Sequence, residues 1–275
     1  MAGWHFWAAE QKDNTLMDPA RCTPPADGLR LYVFPHAGGS SMMFHHWAAR
    51  FPATWDVVAI DAPGHGTRWG EEPLTDGDAL VGHLLTRLGP DLDASPKPFA
   101  FFGHSMGALI AHELTRRLLA QGRTPPLWLG LSACGAPRPG SRPATALLHE
   151  ASDDELRQRL AQLGGTPPKV LEHNGLWAFF APVIRADLRL VANWQPAPAP
   201  PLPATVAVSV FGGTHDPAAH PTDLARWAAH SERYLGLRLL DGGHFYFHHS
   251  LPALTTAIMD DIHTAHQPAH PATTP

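Results

Sequence analysis

Six short apolar runs recur along the chain, and they constrain the fold more than any other feature. They are LRLYVF (29–34), DVVAID (56–61), PFAFFG (98–103), LWLGLSA (127–133), TVAVSVF (205–211) and YLGLRLL (234–240). Each is short and lies against Gly, Pro or Asp, which is how a buried strand reads. Helical spacing fills the gaps between them. Residues 76–89 set Leu80, Leu84, Leu85 and Leu88 three and four apart, and residues 105–121 repeat Leu109 and Leu118 on one face. Residues 221–230 open with Pro221 and Asp223, a suitable first turn. Strand and helix in alternation predict an α/β fold with a mostly parallel sheet and helices on both faces. With 275 residues, 44% hydrophobic, the chain has material for such a core.

The rhythm stops between 137 and 200. Three helical segments stand there instead, ATALLHEA, DDELRQRLAQL and LWAFFAPVIRADLRLVANW, with Gly164-Gly165-Thr166-Pro167-Pro168 among them. The run from Pro196 to Pro203 then makes a stiff, extended return to the sheet pattern. The expected organisation is a core in residues 29–136 and 201–263 and a helical lid inserted at 137–200. A peripheral arm at 1–28, with Trp4, Phe6 and Trp7 packed on the surface, and a disordered tail at 264–275 complete it.

Composition excludes several functions. A net charge of −5 argues against nucleic acid as partner, since phosphate binding needs clustered Lys and Arg. Two cysteines, Cys22 and Cys134, are too few for a disulfide framework and fit a reducing, cytoplasmic setting. Cys134 reads as a small core residue. The opening MAGWHFWAAEQKD has no signal-peptide pattern, and no window of about 18 apolar residues predicts a membrane span. Nineteen histidines invite a metal, yet no H-E-x-x-H or C-x-x-C occurs, and His112-Glu113 runs on into Leu, Thr and Arg. No metal is expected. G-x-G-x-x-G is absent as well, so no dinucleotide is expected.

The sharpest motif is Gly103-His104-Ser105-Met106-Gly107. The pattern is common by chance, but here it follows an apolar run and opens a helix, where a nucleophile elbow must sit. The turn is so tight that only glycine fits two residues either side of the serine. It pushes the Ser105 hydroxyl out beside a helix N-terminus, which favours developing negative charge. A serine needs a base, and the base needs an orienting acid. In such a fold the order is Ser, acid, His. Asp216, in FGGTHDP, is the acid candidate; Asp241 and Asp61 are its competitors. His244, in DGGHF, is the base candidate. His104 reads as structural, His215 as too close to the acid to reach the serine, and His248 and His249 as solvated or locally packed. The Met106 N–H, next after the nucleophile, should be one oxyanion donor. Ala37, in Pro35-His36-Ala37-Gly38-Gly39, should supply the second, with Gly38 as runner-up.

With these residues in place, the chain resembles the type II thioesterases of polyketide and nonribosomal peptide synthetases, which have the α/β-hydrolase fold. The resemblance runs from Leu29 to Ile262. It rests on LYVFPHAGGS, DAPGHGTR, FFGHSMGALIAHEL, LAQLGGTPPKVLE, PVIRADLRLVANW, VFGGTHDP and GGHFYF, taken in that order. It implies a serine thioesterase that hydrolyses acyl or aminoacyl groups from the phosphopantetheine arm of an acyl or peptidyl carrier protein, editing stalled or aberrant intermediates. Its implied triad falls on Ser105, Asp216 and His244, and its oxyanion donors on Met106 and Ala37. No cofactor is implied, because the substrate carries the phosphopantetheine. A monomer is expected, with Phe179, Phe180, Trp177 and Ile184 of the lid as substrate-binding residues and Arg68, Arg138, Arg142 and Lys169 as candidates for carrier docking. Ester hydrolysis, cyclisation or acyl transfer in the same kind of pathway stands as the alternative. Three departures are visible: the family's Pro-Gly-Arg-Gly is Pro63-Gly64-His65-Gly66 here, although Arg68 is kept; the N-terminal arm is longer than the family's; and SACGAP replaces a more usual turn.

Overall fold

The computed structural model describes residues 28–95, 97–137, 147–195 and 199–267. All six apolar runs are strands: β1 (Leu29–Phe34), β2 (Trp55–Ala59), β3 (Phe99–His104), β4 (Trp128–Ser132), β5 (Ala207–Gly213) and β6 (Tyr234–Leu240). They form one sheet in the order β2-β1-β3-β4-β5-β6. Every neighbouring pair among them is parallel. The chain steps outward from β1 to β2, then returns past β1 to β3. The C-terminal ends of β1 and β3 therefore flank the point where the winding reverses, the usual place for a site in such sheets.

Side chains alternate across the sheet, as the strand period demands. Tyr32, Phe34, Phe101, Leu129 and Val208 enter one apolar layer with α1 (Gly77–Ala94) and α2 (Met106–Ala120). Leu31, Val33, Phe102 and Trp128 enter the other, with Phe44, Trp47 and α7 (Phe247–His266). The helix starts follow from sequence. Asp76 accepts from the Ala79 N–H at 2.8 Å to cap α1. The remaining helices are α3 (Asp153–Leu163), α4 (Pro168–Glu172), α5 (Asn174–Ala192) and α6 (Pro221–Leu224). Ser152 caps α3, three acidic residues occupy its first turn, and Gly164 ends it at φ +84°.

Helices α3, α4 and α5 stand between β4 and β5 and bury their own cluster, which includes Leu156, Leu160, Leu171, Trp177, Ile184 and Leu188. Ala37, in the loop after β1, packs against both this cluster and the core layer.

Four expectations need correction. ATALLHEA was expected to be helical, but residues 147–150 form a turn. The carbonyls of His149 and Ala151 accept from the Arg185 guanidinium at 2.9 and 2.8 Å instead of closing helical bonds. The segment 221–230 breaks into α6 and a tighter 3-10 turn at Ala225–His230. Pro168 starts α4 inside the expected spacer, because its fixed φ and missing N–H suit a first helical position. The helix α7 continues to His266, into the tail expected to be disordered from 264, because Arg233 donates to the carbonyls of Thr264, Ala265 and Gln267. The arm with its three aromatics up to residue 27, Cys22, Arg138, Arg142 and the tail from 268 lie outside the described residues.

Candidate active site

The elbow is as tight as its glycines suggest. Ser105 sits at φ 54°, ψ −117°, a region that L-residues avoid and that costs about 1–3 kcal/mol. The Ser105 N–H donates to the Ser132 carbonyl at 2.8 Å, tying the elbow to β4. A Cβ on Gly103 would lie 2.0 Å from the Gly107 carbonyl oxygen, and one on Gly107 would lie 2.0 Å from that of Phe34. Both contacts are backbone to backbone, so no side-chain rotation relieves them.

Loops after β5 and β6 bring the other two groups to this point. They touch so closely that a Cβ on Gly213 would lie 2.1 Å from the Gly243 carbonyl oxygen. His244 Nε2 is 3.1 Å from Ser105 Oγ, and His244 Nδ1 is 2.8 Å from Asp216 Oδ2. The other oxygen of Asp216 accepts from the N–H groups of Ala218 and Ala219 at 2.7 and 3.2 Å. An ionised carboxylate only accepts, so Nδ1 carries the ring proton and the Nε2 lone pair faces the serine. The chain Ser105–His244–Asp216 can thus take the proton from the Ser105 hydroxyl and hold it on an oriented imidazole.

The competitors are elsewhere. Asp241 is exposed and sits 3.7 Å from the His215 ring, which is itself exposed. Asp61 is spent on holding two loops: it accepts from the N–H and hydroxyl of Ser41 and of Thr67 at 2.7 to 3.0 Å. A Cβ on Gly66 would strike that carboxylate at 2.3 Å. His104 is fully buried, with Nδ1 2.8 Å from Ser132 Oγ, which in turn bonds Tyr246. Burial drives His104 far below the ordinary histidine range, and it lowers His36 to about 3. Both rings stay neutral beside His244. His248 stacks on Phe245 with its outer face exposed. Cys134 is only partly buried, and burial together with the nearby Asp216 charge raises its thiol to about 12.

Met106 is the first residue of α2, so its N–H has no intrahelical partner. The Ala37 N–H lies in the loop after β1 that packs on the elbow. The Gly38 N–H is already engaged, donating to Asp187 Oδ2 at 2.7 Å.

The four lid residues do not share one lining. Trp177 and Ile184 are buried in the lid's own cluster, with the Arg157 guanidinium 4.8 Å over the Trp177 ring. Ile184 also covers the loop after β1: a side chain on Gly38 would collide with it. Phe180 is partly buried, and Phe179 is half-exposed beside Trp69, at a ring separation of 6.1 Å. Of the docking candidates, Arg68 is buried, bonded to Glu71, His83 and the Asp61 carbonyl, while Lys169 is exposed.

One residue was missed in the sequence. Asp187 of α5 is almost wholly buried and accepts both from Gly38 and from His65 Nε2, the latter at 2.8 Å. Its signal was present: it stands three residues after Ile184, on the apolar stripe of α5, where a carboxylate requires a partner.

Among the described residues, no group of three or more His, Cys, Asp or Glu could hold a metal ion, and no helix is long and apolar enough to cross a membrane. The thioesterase-domain family model matches residues 29–265. The gramicidin S biosynthesis protein GrsT of Aneurinibacillus migulanus is 32% identical over 222 residues, covering 81% of this chain and 84% of that one. The type II thioesterase BorB from the borrelidin biosynthetic cluster superposes with a TM-score of 0.76 at 32% identity, over 87% of this chain and 94% of BorB. RedJ, a thioesterase from the prodiginine biosynthetic pathway in Streptomyces coelicolor, gives 0.77 at 28% identity over 92% and 97%.

Proposed function

The chain belongs to the thioesterase family, and from that premise we propose that Ser105, His244 and Asp216 hydrolyse acyl thioesters carried on the phosphopantetheine arm of an acyl or peptidyl carrier protein. The observation that supports this most is the hydrogen-bonded relay from Asp216 through His244 to a serine held on a strained turn. Relatives named for antibiotic biosynthesis favour an editing role, in which stalled or wrong acyl groups are cleared from the assembly line.

Ser105 Oγ attacks the thioester carbonyl while His244 Nε2 takes its proton. The N–H groups of Met106 and Ala37 receive the developing oxyanion. Collapse breaks the C–S bond, and His244 returns the proton to the departing thiolate. Water then repeats the sequence on the acyl-serine, releasing the acid and restoring Ser105. Thiolates leave more readily than alkoxides, so the triad needs no metal. The pantetheine belongs to the substrate; the protein supplies no cofactor. Helices α3 to α5 serve as the lid over the acyl group, with Ile184 above the loop after β1 and Phe179 and Phe180 at the outer end. The setting is cytoplasmic, where two cysteines stay reduced.

The test is release of acetyl, longer acyl and aminoacyl loads from a phosphopantetheinylated carrier protein, followed by intact mass. Wild type should free the carrier and Ser105→Ala should not. If neither does, while wild type still reacts with a serine-directed phosphonate, the editing reading fails and cyclisation or transfer to another acceptor replaces it.

A further inference from the structure

The lid, the loop after β1 and the loop after β2 meet at one buried carboxylate. Asp187 Oδ2, on α5, accepts from the Gly38 N–H at 2.7 Å and faces His65 Nε2 at 2.8 Å. On its other side, His65 Nδ1 is 2.9 Å from the Pro63 carbonyl. A carbonyl only accepts, so Nδ1 carries a proton toward Pro63. With Asp187 as a carboxylate, which also only accepts, Nε2 donates as well, and His65 is an imidazolium. The side chains of the pair are only 4% and 2% exposed, so neither charge has water as an alternative partner.

The Gly38 N–H neighbours the Ala37 N–H, and only one of them is free for substrate. We propose that Asp187 and protonated His65 are positioning residues for thioester hydrolysis: the carboxylate of the lid helix binds Gly38 and so presents the Ala37 N–H to the oxyanion, while the His65 imidazolium holds that carboxylate in place. The lid and the oxyanion loop are then set by a charge that titrates. Loss of the His65 proton takes the counter-charge away from the buried Asp187 carboxylate, and the loop loses its fixed orientation. A displacement of about 1 Å at such a donor can cost about 100-fold in rate.

The groups that act on His65 are Asp187 from α5, Asp61 from its own loop, and His36 from the loop after β1. Burial by itself would lower the His65 pKa. The hydrogen bond and charge of Asp187, the Pro63 carbonyl and the charge of Asp61 outweigh burial and raise it above the ordinary value. Its proton is present below that ordinary value and is lost as pH rises through the folded one. The effect therefore lies on the alkaline side, opposite to the acid side on which general-base catalysis fails.

The inference rests on the thioesterase reading, and the experiment separates the two. Full-length protein is assayed on an acyl-N-acetylcysteamine thioester across the pH range, with active sites counted by a fluorophosphonate. Wild type should give a bell-shaped kcat profile. His65→Gln, which keeps one donor toward Asp187 but cannot titrate, should retain the acid limb and lose the alkaline one. Asp187→Asn should lower kcat about 100-fold with KM changed less than about threefold. A wild-type profile without an alkaline limb, or a His65→Gln profile that keeps it, overturns the proposal. A lid that merely needed the pair for stability would lose active sites in both variants, with the profile of the remainder unmoved, which also overturns it. If wild type cleaves no thioester, the thioesterase reading fails, and the pH dependence of fluorophosphonate labelling at Ser105, which uses the same oxyanion donors, decides the present one by the same limb.

Discussion

Replacing Asp216 with asparagine leaves the shape of the relay and reverses its polarity. One oxygen of Asp216 accepts two backbone N–H groups, from Ala218 and Ala219, and the other accepts from His244 Nδ1. Asparagine has a single oxygen. If its amide faced Ala218 and Ala219, three donors would be crowded together, so the oxygen must stay there and the NH2 must turn to His244. The ring then has to accept at Nδ1, and its proton moves to Nε2, where it points at Ser105 Oγ. A base that already holds its proton cannot take another. The expected loss in kcat is about 10⁴-fold, about 5 kcal/mol of transition-state stabilisation. Folding should change little, because the replacement is isosteric and fully buried among the same neighbours. The assay is hydrolysis of an acyl thioester followed by the released thiol, with thermal unfolding measured on the same preparation. An Asp216→Asn enzyme within about tenfold of wild type would refute the reasoning and return the orienting role to another carboxylate, with Asp241 the first to examine.

Three further outcomes follow from packing and charge. Gly107→Ala places a methyl 2.0 Å from the Phe34 carbonyl oxygen, a backbone clash that should cost more than about 3 kcal/mol; a melting temperature near that of wild type would contradict it. Leu156 is fully buried in the lid cluster, and Leu156→Ala should remove about 2–5 kcal/mol there, seen as faster amide exchange in α3 and α5 while β3 and β4 keep their protection. Burial lowers His36 and His112 to about 3 and His104 well below the ordinary histidine range, so the folded chain holds three rings neutral that the unfolded chain protonates. Their stability is present above about pH 6.5 and is lost as pH falls, at about 4 kcal/mol per unit near pH 5; a flat urea midpoint between neutrality and that pH would contradict it.

The sheet was legible because strands buried on both faces, β1, β3, β4 and β5, must be apolar throughout, and the two partly buried edge strands, β2 and β6, are apolar runs as well. The elbow was legible because its strain demands glycine at 103 and 107, a local requirement that sequence records directly. Asp216 and His244 were readable because each follows a strand whose end had to lie at the same edge. Less visible were features decided by partners far away in the chain. Nothing near 147–150 signals that Arg185 will take its carbonyls, and nothing near 264 signals that Arg233 will hold the end of α7. The meeting of His65 with Asp187 spans 122 positions and belongs to tertiary structure alone. Trp177 looked like lining from its residue type, but the spacing that puts it on the same stripe as Ala181, Ile184 and Leu188 also buries it.

The chain leaves the sheet after β4 and returns at β5, while Ser105, Asp216, His244 and the loop of Ala37 follow β3, β5, β6 and β1. The chemistry and its cover are therefore encoded in separate stretches, and the cover can drift or be exchanged without shifting one register of the sheet. Descent can alter what such an enzyme accepts while leaving how it reacts untouched. A single requirement limits that freedom. Any transplanted cover has to arrive with an acidic side chain where Asp187 stands, or the recipient keeps an unpaired buried histidine and an idle amide facing each other across the seam.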